Sequence, residues 1–233
     1  MCKYVSMSIQ SISDIKHAFY INLEHRTDRK EHVETELCKI GLHAQRFNAI
    51  KMENGAVGCS LSHLKLLQDA EKNNVDHILI VEDDITFLEP ELFKTQINNF
   101  FKLHKNDWDV ILLAGNNMPP YESTDNTCIK VSRCQTTTGY LVNGHYIKTL
   151  LQNVKQGLTY LINNPREHSK YAIDKYWFML QSEHKWYLII PPTVVQKEGY
   201  SDIEKRVTNF EKHMLDLDKT DMINVFKNRL KKH

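Results

Sequence analysis

Three consecutive carboxylates, Glu82, Asp83 and Asp84, follow directly on the apolar run ILIV at residues 78–81. Charged side chains are seldom buried unpaired, so the cluster marks where a buried strand leaves the core. Open α/β sheets bind their ligands at such ends. Adjacent carboxylates there can hold a divalent cation through one or two oxygens, while water and substrate phosphate fill its other positions. A solvated turn or a helix cap is the competing account of the same three letters. A second polar cluster has a similar setting: in FYINLEHRTDRK an apolar strand releases Asn22, Arg26, Asp28 and Arg29 into the start of a helix. Helix-terminal amides and two guanidinium forks suit an anionic, nucleotide-like ligand, although each arginine alone reads equally well as a surface residue.

The elements that must position these residues alternate in type. HAFYINL reads as a strand ending at Asn22. Thr27 or Asp28 then caps a helix, with Glu31 completing a capping box, Val33, Leu37 and Ile40 on one face, and Gly41 as the stop. QRFNAI is a short strand. Residues 56–72 form a helix with Val57, Leu61, Leu64 and Leu67 on one stripe, and small residues Gly58, Cys59 and Ser60 at an end suited to face a ligand. After HILIVEDD come a helix over 89–104 and the strand DVILLAGN, apolar enough for burial on both faces. NNMPPYESTDNT reads as a long loop. VSRCQTTTGYLVN resumes strand character, and helices over 144–162 and 172–181 precede the strand KWYLIIP. This alternation predicts an α/β domain with a mixed, mainly parallel sheet flanked by helices. It spans residues 17–203, between an extension at 1–16 and a helical segment at 204–233. In that last segment Val207, Phe210, Met214 and Leu217, then Ile223, Phe226 and Leu230, keep helical spacing ahead of a basic end.

Composition narrows the function classes. The chain has 233 residues, with 30 Lys and Arg against 29 Asp and Glu, so no global field recruits nucleic acid or membrane. Five cysteines (Cys2, Cys38, Cys59, Cys128 and Cys134) are widely spaced without a CxxC pair. That argues against a disulfide framework and a zinc-finger-type site, and for reduced thiols in a cytosol-like compartment. No run reaches the roughly 20 apolar residues of a membrane helix, and the first residues carry no secretory apolar core.

Five stretches together resemble glycosyltransferase family 25, the lipooligosaccharide and collagen galactosyltransferase group. FYINLEHRTDRKEH resembles its opening YxINLxxRxDR pattern, and GAVGCSLSHLKLLQDA its GExGCxLSHxxLW segment. HILIVEDDI is similar to its acidic metal-motif strand, TTTGYLVN to its TGxYxI strand, and PPTVVQKEGYSDI to its P-x-x-x-Q followed by SDI. The motifs keep the family's order over residues 19–203. Ala56 stands for the usual Glu, Ile50 and Lys51 for a V-D-G-like turn, and Leu67 for the usual aromatic residue.

The resemblance implies a GT-A fold, a UDP-sugar donor and Mn²⁺ or Mg²⁺. It implies Asp84, with Asp83 or Glu82, as anchor of the cation, and Gln196 or Asp202 as completing ligands from a loop that also carries Ser201. Asn22, Leu23, Arg26 and Arg29 would hold the nucleotide, with Asp28 buttressing an arginine. Ser62 and His63 match the LSH element; His63 would contact ribose or phosphate, or serve the fold. Thr137, Thr138 and Gly139 would meet donor or acceptor, or be ordinary strand residues. In AIDKYW, Asp174 stands among Ile173, Tyr176 and Trp177 near a helix start. An inverting transfer requires a carboxylate beside the acceptor hydroxyl, and Asp174 fills that role unless it only caps the helix. The implied acceptor is a glycan or hydroxylysine-type hydroxyl. A catalytically silent binding module and a metal-dependent phosphohydrolase are the rival classes.

Overall fold

The computed structural model describes residues 9–201 and 206–220. Its elements, in chain order, are β1 (Ala18–Asn22), α1 (Thr27–Lys39), β2 (Gln45–Asn48), α2 (Gly55–Lys72), β3 (His77–Glu82), β4 (Ile85–Phe87), α3 (Pro90–His104) and β5 (Val110–Leu112). Next come β6 (Asn116–Asn117), β7 (Glu122–Ser123), β8 (Cys128–Lys130), β9 (Cys134–Gln135), β10 (Gly139–Asn143) and α4 (Ile147–Asn163). The short helices α5 (His168–Tyr171), α6 (Ile173–Tyr176) and α7 (Phe178–Glu183) lead to β11 (Trp186–Ile189), β12 (Val194–Gln196), β13 (Gly199–Ser201), β14 (Arg206–Thr208) and α8 (Glu211–Leu215).

Eight strands form one sheet in the order β2-β1-β3-β10-β5-β11-β8-β7. Following the pairings across it, β10 and β8 run against the other six strands, which share one direction. The sheet is therefore mixed and mainly parallel, as expected.

Its burial on both faces follows from the pleat, which sends alternate side chains to opposite sides. Leu79 and Val81 of β3 join the core shared with α1 and α3, whereas Ile78 and Ile80 join the core shared with α2 and α4. That is why HILIV carries no polar alternation. Helix α1 stops at Gly41, whose φ of 69° suits a residue without Cβ. The Leu42 amide donates to the Leu37 carbonyl at 3.0 Å, closing a Schellman-type end.

Several local expectations differ from the structure. The N-cap of α1 is Arg26 with no side-chain capping bond, and the Asp28 side chain pairs with Arg26. VSRCQTTTGYLVN is not one strand. It divides between β9 and β10, and Thr136 at φ 78° turns the chain between them. The helix expected over 172–181 is broken into α6 and α7. Over its described part the extension at 1–16 packs on the domain: Ile9, Ile12 and Ile15 are core residues, and the Ile12 amide donates to Asn98 Oδ1 of α3. Val207 lies in β14 rather than on a helical stripe, while Met214 of α8 is buried in the core. Ile223, Phe226 and Leu230 lie outside the described residues, as do Cys2 and Asp202. Cys38, Cys59, Cys128 and Cys134 are unbridged. Among the described residues, no helix is long and apolar enough to cross a membrane.

Candidate active site

The C-terminal ends of β1 and β3, the start of α2 and the chain after β12 enclose a cleft of about 470 Å³. Leu23, Arg26, Arg29, Ser62, Glu82, Asp83, Asp84, Gln196 and Ser201 all line it. These residues come from four of the five sequence stretches, and the sheet topology gathers them because β1 and β3 are parallel neighbours. A smaller cavity of about 240 Å³ adjoins it and contains Asp174, Thr136, Thr137, Lys175 and His168. Cys59, Glu82, Gln196, Ser201 and Phe210 line both.

The three carboxylates have separate surroundings. Glu82 Oε1 accepts from the Thr137 hydroxyl at 2.7 Å and lies 3.5 Å from His63 Nε2; Gln196 Nε2 approaches Oε2 at 3.5 Å. Burial alone would raise its carboxyl, but His63, Thr137 and Cys59 hold it below the ordinary value. Asp83 is fully engaged: Oδ2 accepts from Asn22 Nδ2 at 2.8 Å and Oδ1 from Arg29 at 2.9 Å. Asp84 differs. Its Oδ1 is buried without a hydrogen-bond partner among the described residues, and its Oδ2 stands 3.5 Å from Arg29. Burial, then the charges of Glu82 and Asp83, push its carboxyl up to about 8 against the pull of Arg29. A cation at that oxygen would satisfy the orphaned acceptor and relieve the crowding, so the residues present fit a hard divalent ion.

The arginines also part company. Arg26 is held in a two-pronged pair by Asp28 at 2.9 and 3.0 Å, and this pair holds the Asp28 carboxyl down at about 2. Arg29 spans Asp83 and the Tyr200 carbonyl, tying the strand end to β13. Asn22 does not line the cleft. It donates to Asp83 and to the Arg26 carbonyl and accepts from Arg46, so it sets the geometry of the β1 end.

Ser62 lines the cleft and fixes its wall, accepting from the Ile50 amide and donating to the Gly58 carbonyl. A Cβ at Gly58 would lie 2.6 Å from the Ile50 carbonyl, so glycine permits α2 to approach the chain at residues 50–52. His63 is fully buried between Tyr140, whose hydroxyl is 2.8 Å from Nδ1, and Glu82, and it reaches neither cavity. Thr138 and Gly139 also lie outside both; a Cβ on Gly139 would meet Ile85, Val81 and Leu113 of the core.

Asp174 Oδ2 accepts from the Thr136 amide at 3.2 Å and stands 3.4 Å from Lys175 Nζ. Helix α6 begins after Ala172 with no side-chain cap, so the carboxylate does not serve as a cap. Its expected aromatic neighbours face elsewhere: Trp177 is buried against Tyr140 and Trp186, and Tyr176 packs on Gly157. A β-branched residue at positive φ is an outlier, and such strain gathers at functional sites. Thr136 and Lys175, which orient Asp174, and Phe210, which sits where the cavities meet, carry no signal of that role in the sequence, whereas Cys59 at the same junction belongs to the small-residue end of α2 expected to face a ligand.

The family model described as glycosyltransferase family 25 (LPS biosynthesis protein) matches residues 51–176. Procollagen galactosyltransferase 1-B of Xenopus laevis is 24% identical over 196 residues, covering 68% of this chain and 32% of that protein. A glycosyltransferase 25 family member of Aedes aegypti is 23% identical over 247 residues, covering 87% and 40%. The chain thus spans well under half the length of these two curated relatives. The crystal structure of a glycosyltransferase involved in glycosylation of the major capsid of PBCV-1 superposes with a TM-score of 0.50 at 15% identity. It covers 81% of this chain and 95% of that one, and the likeness is one of GT-A fold.

Proposed function

The chain belongs to glycosyltransferase family 25, and from that premise we propose that it transfers a hexose from a UDP-sugar, with inversion, to a hydroxyl of a glycan or hydroxylysine-type acceptor. The observation that carries the reading is Asp84: a half-buried carboxylate whose Oδ1 is buried without a hydrogen-bond partner among the described residues, at a strand end, in a cleft that also presents Arg26 and Arg29. Asp84 would hold Mn²⁺ or Mg²⁺, with Gln196 and Glu82 of the same cleft as further donors and Asp202 beyond the described residues. Asp83, both of whose oxygens are engaged, would position Arg29 rather than ligate. When bound, the cation supplies neutralising charge for the diphosphate leaving group.

The remaining work falls to this chain's own side chains. Arg26 and Arg29 would bind diphosphate oxygens through their planar forks. The apolar wall of Ile21, Leu23 and Ala49 would take the base, and Ser62 would keep that wall in place. Asp174, in the adjoining cavity, would accept the proton of the attacking acceptor hydroxyl. Thr136 N–H and Lys175 keep its carboxylate aimed, so displacement proceeds in one step without a covalent enzyme intermediate. Galactose is the first sugar to test, because one relative carries the name of a procollagen galactosyltransferase.

The test is incubation of the purified chain with Mn²⁺ and UDP-galactose or UDP-glucose against glycan and hydroxylysine-peptide acceptors, with products identified by mass. One added hexose with release of UDP is expected. UDP binding without product from any pair would instead identify a binding module, and free phosphate a hydrolase.

A further inference from the structure

Away from both cavities, the end of α3, the loop after β7 and the start of β8 bring His104, Asp125 and Cys128 together. His104 Nε2 lies 2.8 Å from Asp125 Oδ2 and 3.6 Å from the Cys128 sulfur, which is 4.0 Å from each Asp125 oxygen. We propose that this corner binds a transition-metal dication, Zn²⁺ by its ligand chemistry, through His104 Nε2, Asp125 Oδ2 and Cys128 Sγ, and so clips the loop to α3.

The geometry first excludes the other chemistry these residue types suggest. A Cys–His–Asp relay needs the two ring nitrogens on two different partners. Here one nitrogen, Nε2, faces both the carboxylate and the thiol. Three donor atoms converging on one point is instead what a shared ion requires. Bound at about 2.0–2.3 Å in a tetrahedral arrangement, such ligands stand about 3.3–3.7 Å apart, and the observed separations bracket that spacing. Mixed nitrogen, oxygen and sulfur donors favour a borderline ion such as Zn²⁺ over Mg²⁺ or Ca²⁺. One thiolate and one carboxylate also balance a dication's charge.

The surroundings hold the ligands in place. Asp125 Oδ1 accepts from the amide and the hydroxyl of Thr127 at 2.7 and 2.6 Å, leaving Oδ2 directed at His104. The His104 ring stacks on Phe100 at 4.2 Å and is flanked by Tyr187. Such outer contacts fix ligand orientation. The sulfur is buried, while the Asp125 side chain is 26% exposed, so an ion enters from that side and water takes the fourth position. Burial, then the Asp125 charge, push the thiol up to about 12, so Cys128 is protonated until an ion displaces the proton. The cluster of Cys59, His63 and Glu82 is a separate one, at the wall of the larger cleft: Thr137 and Gln196 hold Glu82, and Tyr140 holds His63 through Nδ1.

The test is titration of the chelator-stripped full chain with Co²⁺. One equivalent should give a sulfur-to-cobalt charge-transfer band in the near ultraviolet and four-coordinate d–d bands in the visible. Zn²⁺ should abolish both. Cys59→Ser and Asp84→Asn should keep the charge-transfer band, and Cys128→Ser should lose it. Should Cys128→Ser fail to fold, Asp125→Asn decides. With its circular dichroism intact, its Co²⁺ affinity should fall about tenfold or more. No charge-transfer band in the wild-type chain, a band that survives Cys128→Ser, or an unchanged affinity in Asp125→Asn would overturn the site.

Discussion

The two adjoining cavities differ in how they hold their carboxylates. In the larger, three acidic residues are crowded at one strand end, and Arg29 satisfies one of them, leaving Asp84 with an unpartnered oxygen and a carboxyl pushed up to about 8. In the smaller, Asp174, which unlike Glu82 does not also line the larger, is aimed by a backbone amide on a strained residue and by the neighbouring Lys175. Crowded charge invites a cation. An oriented carboxylate set apart from that crowd suits proton transfer, where geometry comes first. The shared wall of Cys59, Glu82, Gln196, Ser201 and Phe210 is where donor and acceptor would meet.

The largest effect that separates the cavities is expected from Asp174→Asn. Turnover should fall by about 10²–10⁴-fold while UDP affinity stays at the wild-type value, since a general base acts only as the acceptor loses its proton. Steady-state kinetics beside calorimetry check this, and wild-type turnover with chemistry rate-limiting would remove Asp174 from the mechanism.

The pH response should belong to the larger cavity. A cation at Asp84 must displace a proton held up to about 8. Apparent Mn²⁺ affinity should therefore rise by up to about tenfold per pH unit until that value and then level off. Stability of the cation-free protein moves the other way. For a carboxyl raised in the folded state, the contribution is fully present below the ordinary value of 3.8 and is lost as pH rises through about 8. Asp84→Asn should flatten both curves, as read by Mn²⁺ titration and urea unfolding at several pH values.

Gly58→Ala tests the wall rather than the charges. Its Cβ would press on a backbone carbonyl, so unfolding free energy should drop by about 1–3 kcal/mol, and UDP binding should weaken because the chain at residues 50–52 moves. An unchanged melting curve would show that α2 and that chain yield freely.

The arginine pair offers the smallest contrast. Arg29→Gln deprives Asp83 of a part-buried partner and should cost about 1–3 kcal/mol, whereas Arg26→Gln breaks a pair with an exposed carboxylate and should cost less, under about 1 kcal/mol for that pair. Both should weaken UDP binding; equal losses of stability would contradict the separate roles.

Much of the larger cavity was legible because each of its parts is a contiguous stretch. The apolar run before Glu82 announces a strand buried on both faces, and a strand that ends in carboxylates can only deliver them at its edge. The arginines after β1 follow the same logic. What stayed hidden depends on chain geometry and distant partners. TTTG reads as strand, and no residue type signals that Thr136 takes a positive φ. Asp83 and Asn22 are 61 positions apart, so their bond, which turns an expected ligand into a positioning group, has no local trace. His63 matched a motif, yet the fold uses it beneath Glu82. The His104–Asp125–Cys128 corner escaped because its spacing fits no linear metal motif, and the cysteine count alone pointed away from zinc. Helices α6 and α7 read as one longer helix because their apolar residues keep roughly helical spacing.

The central claim, that Asp84 anchors a cation on which UDP binding depends, is tested most directly by calorimetry of UDP with and without Mn²⁺ in the wild-type chain and in Asp84→Asn. The wild-type chain should bind UDP far more tightly with Mn²⁺. The variant, folded by circular dichroism, should lose about 10-fold or more of Mn²⁺-dependent affinity, at least what removal of an outer-shell partner costs. Equal UDP affinity in the two proteins at saturating Mn²⁺ and equal Mn²⁺ affinity would contradict the account.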